Sequence, residues 1–194
     1  MKQLRFRAAL AAALLLAASG GTVVIAATAT ATDPARQAAP ADGWASQAGG
    51  TLGGSNAISA HIYSVHNRKE LLAAIANGGV NAKIIKVNGL IDMTEGVPYT
   101  STGDQAARGA IRLKSNTTLI GADGNAGFIN GHIVVSGVSQ VIIRNLKIAA
   151  PCDVGPVWDP NDGSTGNWNS AYDAIGVSSS DHIWIDHNSF TDAP

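Results

Sequence analysis

Cysteine is almost missing from this chain of 194 residues; Cys152 is the only one. A single thiol closes no internal disulfide, and no Cys/His pair has the spacing of a zinc site. Aromatic residues make up only 5% and charged residues only 14%, with a net charge of -1. That near-neutral balance, without a long run of like charge, offers no electrostatic reason to expect nucleic acid as a partner. A Gly-rich phosphate loop and a G-x-S-x-G elbow are also lacking. No two carboxylates stand out as an acid–base pair for glycoside hydrolysis. Past the N-terminal region, no apolar stretch is long enough to span a bilayer.

What is present begins with an export signal. "MKQLRFR" carries three positive charges, "AALAAALLLAA" follows as an apolar run, and small residues at A-x-A spacing come next. Residues 1–31 therefore read as a signal peptide, with cleavage after Ala29 or Ala31. A membrane anchor is the competing reading, but Ser19, Gly20, Gly21 and Thr22 interrupt the apolar run. Residues 32–60 are rich in Ala, Gly, Ser and Pro and read as a flexible lead-in, with order expected from about His61. Export permits disulfides, so Cys152 is a buried inert thiol, the partner of a cysteine beyond Pro194, or a reactive nucleophile.

"HIYSVHNRKELLAAIANGG" contains the one clear helix. Asn67 is a good N-cap, Glu70 completes a capping box, Leu71, Leu72 and Ile75 make an apolar stripe, and Asn77-Gly78-Gly79 ends it. Strand patterns follow, with Gly, Ser and Asn between them. Superposed, these runs repeat. Ile111 and Leu113 match Ile133 and Val135 at a spacing of 22, and those match Ile175 and Val177 at a spacing of 42. Val141, Ile142 and Ile143 likewise match Ile183, Trp184 and Ile185 at 42. A period in the twenties implies stacked coils of a parallel β-solenoid, the longer step being one coil plus an excursion through "APCDVGPVWDPNDGSTGNWNSAY". The helix is then a cap over the first coil's open end, which would otherwise invite edge-to-edge association. A β-sandwich competes, but "VNGLID" is its only hairpin signal. The chain stops at "TDAP" straight after a strand, so residues 61–194 read as the N-terminal part of a longer solenoid, truncated at its C-terminal end.

Few residues in this frame can carry chemistry. Asp173 opens a strand just after the excursion, where a groove forms, and its carboxylate is either a Ca²⁺ ligand or a turn cap. "WDPNDGSTGNW" lacks the spacing of a calcium loop and reads as ordinary turn chemistry. Asp186 and His187 are neighbours on a strand, so alternation sends them to opposite faces and denies them a joint role as a dyad. His187 falls in phase with Ile183 and Ile185 and reads as a buried imidazole bonded to the next coil. Asn145, at the matching position, suggests a polar ladder along the stack.

The stretch "WDPNDGSTGNWNSAYDAIGVSSSDHIWIDHNSFTD", with "NTTLIGADG", "VIIRNLKI" and "ELLAAIANG", closely resembles the pectate lyase superfamily, polysaccharide lyase family 1. The likeness runs from about Ile62 to Asp192. It implies a right-handed parallel β-helix with an N-terminal capping helix, secreted, monomeric and free of the membrane once the signal is removed. It also implies Ca²⁺-dependent β-elimination of polygalacturonate, in which Ca²⁺ bridges the substrate carboxylate and protein acids while an Arg takes the C5 proton. Asp173, in "YDAI", matches the first calcium ligand of the family. The position two residues earlier, an acid in some members, is Ala171 here. The remaining acids and the Arg belong to later coils, so no catalytic residue is assigned within the chain. The fragment alone is expected to be inactive. "IWIDH" is a structural network away from the calcium groove. Two other readings stand beside this one: a pectin lyase acting on methylated substrate without calcium, and a non-catalytic polysaccharide-binding β-helix.

Overall fold

The computed structural model describes residues 33–169 and 172–191. The expected signal peptide and Ala171 lie outside them. The chain winds through successive coils, each adding one short strand to each of its walls. β1 (Ile62–Val65) and helix α1 (Arg68–Ala76) lead into the first coil, which holds β2 (Lys83–Val87) and β3 (Leu90–Asp92). Helix α2 (Thr102–Arg108) leads into β4 (Ala110–Arg112), β5 (Thr117–Gly121) and β6 (Gly127–Ile129), and the third coil is β7 (His132–Ser136), β8 (Ser139–Arg144) and β9 (Lys147–Ala149). The excursion then forms a hairpin of β10 (Val157–Asp159) and β11 (Asn167–Asn169) before β12 (Ile175–Ser178), β13 (Asp181–Asp186) and β14 (Ser189–Thr191).

Three parallel sheets result: β1-β2-β5-β8-β13, β4-β7-β12 and β3-β6-β9-β14. The architecture is a parallel β-helix. The spacings seen in the sequence are the register: Ile111 pairs with Ile133 and Ile133 with Ile175, while Val141–Ile143 pair with Ile183–Ile185. "VNGLID" is not a hairpin, since β2 and β3 belong to different sheets. Gly89 between them has φ +69, a left-handed corner that turns one wall into the next.

Inward residues form columns that run along the stack. Ile85, Leu119 and Ile143 make one, and Ile91, Phe128 and Ile148 another. All six are essentially buried. Each such side chain is covered by the coil before it and the coil after it. In the last described coil the equivalents Ile185 and Phe190 are 40% and 49% exposed. Full burial of one such residue stabilises by about 1.5–3 kcal/mol.

Helix α1 caps the first coil as the sequence implies. Asn67 Oδ1 accepts from Glu70 N at 2.9 Å, and the Glu70 carboxylate reaches back to accept from His66 N and from the Asn67 side-chain amide, each at 2.8 Å, rather than from the N-cap backbone N–H. Leu71, Ala74 and Ile75 are buried in the core with Val65, Ile85 and Val87. Nothing in the pattern announces what closes the other end of this helix. Lys83 is fully buried, and its Nζ donates to the carbonyls of Ile75 (2.9 Å) and Asn77. Those carbonyls have no partner within the helix, and a cation there also suits the dipole. Helix α2 was missed in the sequence, although Ser101, whose Oγ accepts from Asp104 N, is its N-cap signal.

Residues 33–60 differ from the expected flexible lead-in. They lie across the outer face of the five-stranded sheet as a strap, held by named contacts. Asp33 pairs with Lys86 at 2.7 Å, Arg36 donates to Ser55 O, and Leu52 N and Gly50 O bond the Gln140 amide. Gly54 N donates to Thr118 Oγ1 at 2.8 Å. This cover explains why the outward-pointing Ile84, Thr118 and Ile142 are buried. Composition was misleading because the glycines are there for close approach, not freedom. A Cβ on Gly54 would sit 1.9 Å from Lys83 O, and one on Gly53, at φ +53, would sit 2.7 Å from Ile142.

Two outcomes follow from the strap. Gly54→Ala should destabilise by about 1–3 kcal/mol, the scale of overpacking. Gly124→Ala, where a Cβ meets nothing within 4 Å, should leave the thermal midpoint nearly unchanged; equal effects would contradict the close packing. His182 offers a pH test. Its ring bonds Asp181 at 2.5 Å and Ala48 O at 3.2 Å, and the Asp181 bond, then the Ala48 bond, raise its pKa above 6.5. The anchoring is therefore complete below pH 6.5 and fades as pH rises through the raised value. Amide exchange in residues 44–50, corrected for intrinsic rate, should be faster above that point, and His182→Gln should remove the pH dependence.

Candidate active-site edge

Asp173 lies two residues before the start of β12, at the edge of the β4-β7-β12 wall. The backbone beneath it is clamped from both sides. Ala174 O accepts from Ile133 N at 3.0 Å. Tyr172 is buried, packs at a tilt of 51° against the His132 ring with centroids 4.6 Å apart, and donates its hydroxyl to Thr102 O at 3.1 Å. The Asp173 side chain itself is exposed. An acid on a fixed backbone, facing water, keeps its charge available to a ligand.

His132 and Tyr172 were not singled out in the sequence. Only the coil register finds them, because it sets His132 against the residue that follows Asp173. His132 is half-buried and its Nδ1 has no hydrogen-bond partner. Burial pushes its pKa below 6.5 and nearby Arg112 adds to the effect, while the Asp173 charge pulls the other way. The imidazole is accordingly neutral near pH 7, and it senses Asp173 across the same wall.

Asp186 and His187 stand on another sheet, that of β13, and differ from the alternation argument. His187 Nδ1 is 2.7 Å from Asp186 Oδ2, so the two do form a pair. Alternation fails because β13 ends at Asp186 and His187 has φ +52, which swings its side chain back. His187 is also not buried: 72% of its side chain is exposed. Asp186 in turn faces Arg144 Nε at 3.2 Å, Arg144 lies 4.4 Å over the Trp184 ring, and its other arm donates to Gln37 of the strap. The side-chain bond to the neighbouring coil comes from Asn188, which accepts from Leu146 N and donates to Ile143 O, and not from a ladder of Asn145 and His187. This cluster ties strap to sheet.

The remaining candidates resolve simply. Cys152 is exposed, which removes the buried-thiol reading. In "WDPNDG", the Asp159 side chain accepts from Asn161 N at 2.9 Å, as in a turn. Among the described residues no three His, Cys, Asp or Glu side chains converge as a metal cage, and no helix is long and apolar enough to cross a membrane.

The comparisons with known proteins agree with one another. A family model described as pectate lyase matches residues 7–194. Pectate lyase E of Dickeya chrysanthemi is 46% identical over 154 residues, covering 79% of this chain and 37% of that protein. A pectate lyase of Bacillus subtilis (strain 168) is 33% identical over 193 residues, covering 78% of this chain and 46% of that protein. Among solved structures, a thermostable pectate lyase superposes with TM-score 0.74 at 31% identity, over 83% of this chain and 50% of that one. A pectate lyase bound to hexasaccharide gives TM-score 0.74 at 33% identity, over 83% and 51%. The chain thus spans less than half the length of these two curated relatives.

The wall around Asp173 is testable by titration. His132 should titrate below pH 6.5 by NMR, and Asp173→Asn should lower its pKa further. A depressed histidine stabilises fully above its unfolded pKa and loses that contribution as pH falls toward the folded value. Stability should therefore decline below pH 6.5, and His132→Gln should flatten that decline. A His132 pKa unmoved by Asp173→Asn would separate the two groups.

Proposed function

The chain belongs to the pectate lyase family, and from that premise we propose that the intact protein is a secreted, calcium-dependent lyase that cleaves polygalacturonate by β-elimination. The observation that carries this reading is Asp173, an exposed carboxylate on a backbone clamped by Tyr172 and by the β7–β12 ladder. The N-terminal signal supports export.

Ca²⁺ takes six to eight oxygen ligands at 2.3–2.6 Å. Asp173 fits as one donor, with one or two oxygens, and the described residues supply no cage around it. The ion would be shared with the uronate carboxylate and, as the family resemblance implies, with acids of later coils. When bound, Ca²⁺ neutralises that carboxylate and makes the proton on the adjoining carbon easier to remove. Asp173 supplies the fixed negative charge that orients the ion. Tyr172 and His132 position Asp173, since their ring contact and the Tyr172–Thr102 bond hold its backbone against the wall. None of the described residues is assigned as the base; in the family resemblance that role falls to an Arg of a later coil.

Binding of polygalacturonate with Ca²⁺ and with excess chelator tests the proposal. The chain should be retained with Ca²⁺ and released by chelator. Asp173→Asn should raise the calcium concentration for half-maximal binding by at least about tenfold, the scale for losing a metal-site group. In the intact protein, unsaturated uronide ends should form only with Ca²⁺. Binding indifferent to both chelator and Asp173→Asn would contradict the assignment.

A further inference from the structure

The wall that carries Asp173 also carries a cation with no task in the fold. The other described arginines are bonded in place. Arg36 donates to Ser55 O, Arg68 to Arg108 O with Glu95 close by, Arg108 to Asp104, and Arg144 to Gln37 while it faces Asp186. Arg112 is different. It stands on β4 between the buried Ile111 and Leu113, so alternation sends it outward. It is exposed, and it has no hydrogen bond or ion pair among the described residues.

The register sets what lies beside it. Arg112 is opposite Val134 and Val134 opposite Gly176, a row of outward positions that crosses all three strands. Gly176 has no left-handed φ, and a Cβ there would meet nothing within 4 Å. Neither conformation nor packing calls for glycine at this place; its effect is to leave the floor of the wall bare. Neighbouring strands lie about 4.8 Å apart, so Arg112 and Gly176 are separated by about 9.6 Å across the sheet. Asp173 is three residues from Gly176, at most about 10 Å along the chain. His132 is close enough to feel both the Arg112 and the Asp173 charge. The two opposite charges are thus set apart by the length of a few sugar rings, with a low floor beside them.

A uronate polymer repeats a carboxylate on every ring. When one is held through Ca²⁺ at Asp173, its neighbours along the polymer must find partners or stay in water. A guanidinium offers a planar fork that matches a carboxylate, and it keeps its charge at any working pH. We propose that Arg112 is a second carboxylate anchor, pairing with a free uronate of the same polymer that is held through Ca²⁺ at Asp173, the polymer crossing the bare floor at Val134 and Gly176. The inference rests on the lyase reading and adds to it a residue that selects for unesterified rings at a distance from the metal. A methyl ester at that ring removes the charge the guanidinium reads and leaves the cation unpaired.

Calorimetric titration of the full chain with hexagalacturonate in Ca²⁺ tests this. Arg112→Gln should weaken binding by about tenfold, the scale of losing a hydrogen bond to a charged group. Arg112→Lys keeps the charge without the fork and should fall between the two. Gly176→Leu, whose side chain has room in the fold, should leave the thermal midpoint nearly unchanged and weaken binding by filling the floor. Lys69→Gln removes an exposed cation from helix α1 instead and should stay within about twofold of the unmodified chain. The unmodified chain should prefer hexagalacturonate to its partially methyl-esterified counterpart, and Arg112→Gln should shrink that preference. If Arg112→Gln binds within about twofold of the unmodified chain, or loses no more than Lys69→Gln does, the anchor is overturned. Calcium-dependent binding that is still weakened by Asp173→Asn would then leave the lyase reading standing. If the unmodified chain binds no hexagalacturonate in Ca²⁺, both readings fall.

Discussion

Parallel stacking is the constraint on which the rest of this molecule depends. A coil of the helix contributes only a few inward side chains, and none of them is out of water until a neighbouring coil covers it. Ile143 is buried because Leu119 lies on one side and Ile185 on the other. The same ladder fixes where every outward side chain stands, since a strand in register with its neighbour has no freedom to slip without exposing its whole apolar set. Asp173 is placed by that register and by its neighbour Tyr172, which is anchored on His132 and Thr102.

A stack of this kind leaves surfaces that must be closed, and the chain closes them in unlike ways. The open face of the first coil takes an amphipathic helix, whose last carbonyls are satisfied by a lysine that has no solvent contact. One outer wall takes the strap of residues 33–60, pressed so close that Gly53 lies against the side chains of Ile142 and Thr118 and Gly54 against the Lys83 backbone. The Trp184–Arg144–Asp186–His187 cluster belongs to this second task, because Arg144 reaches from the sheet to Gln37. On the β4-β7-β12 wall Asp173 and Arg112 stay exposed, and this is the wall proposed to bind.

Much of this was legible in the sequence because repetition is visible without three-dimensional knowledge. The spacings of 22 and 42 are the register itself, and the helix with its Asn67 cap stands where the pattern puts it. What was not legible has physical causes. The strap looked like a linker because glycine marks both looseness and close approach, and only a neighbour's coordinates distinguish them. The Asp186–His187 pair was hidden by a left-handed residue, which strand alternation does not anticipate. Helix α2 is short and buries little apolar surface, so periodicity missed it. The His132–Tyr172 contact joins residues 40 apart in number, and register alone brings them together.

The central claim is that the stack presents Asp173 as a ligand to a divalent ion held against a uronate carboxylate. The most direct measurement is a crystal structure of the protein grown with oligogalacturonate and a lanthanide in place of calcium, read by anomalous scattering. The account predicts a peak at the Asp173 carboxylate, with metal–oxygen distances in about the calcium range of 2.3–2.6 Å, and a sugar carboxylate on its other side. A peak elsewhere, with Asp173 turned away and bonded only within the protein, would contradict it.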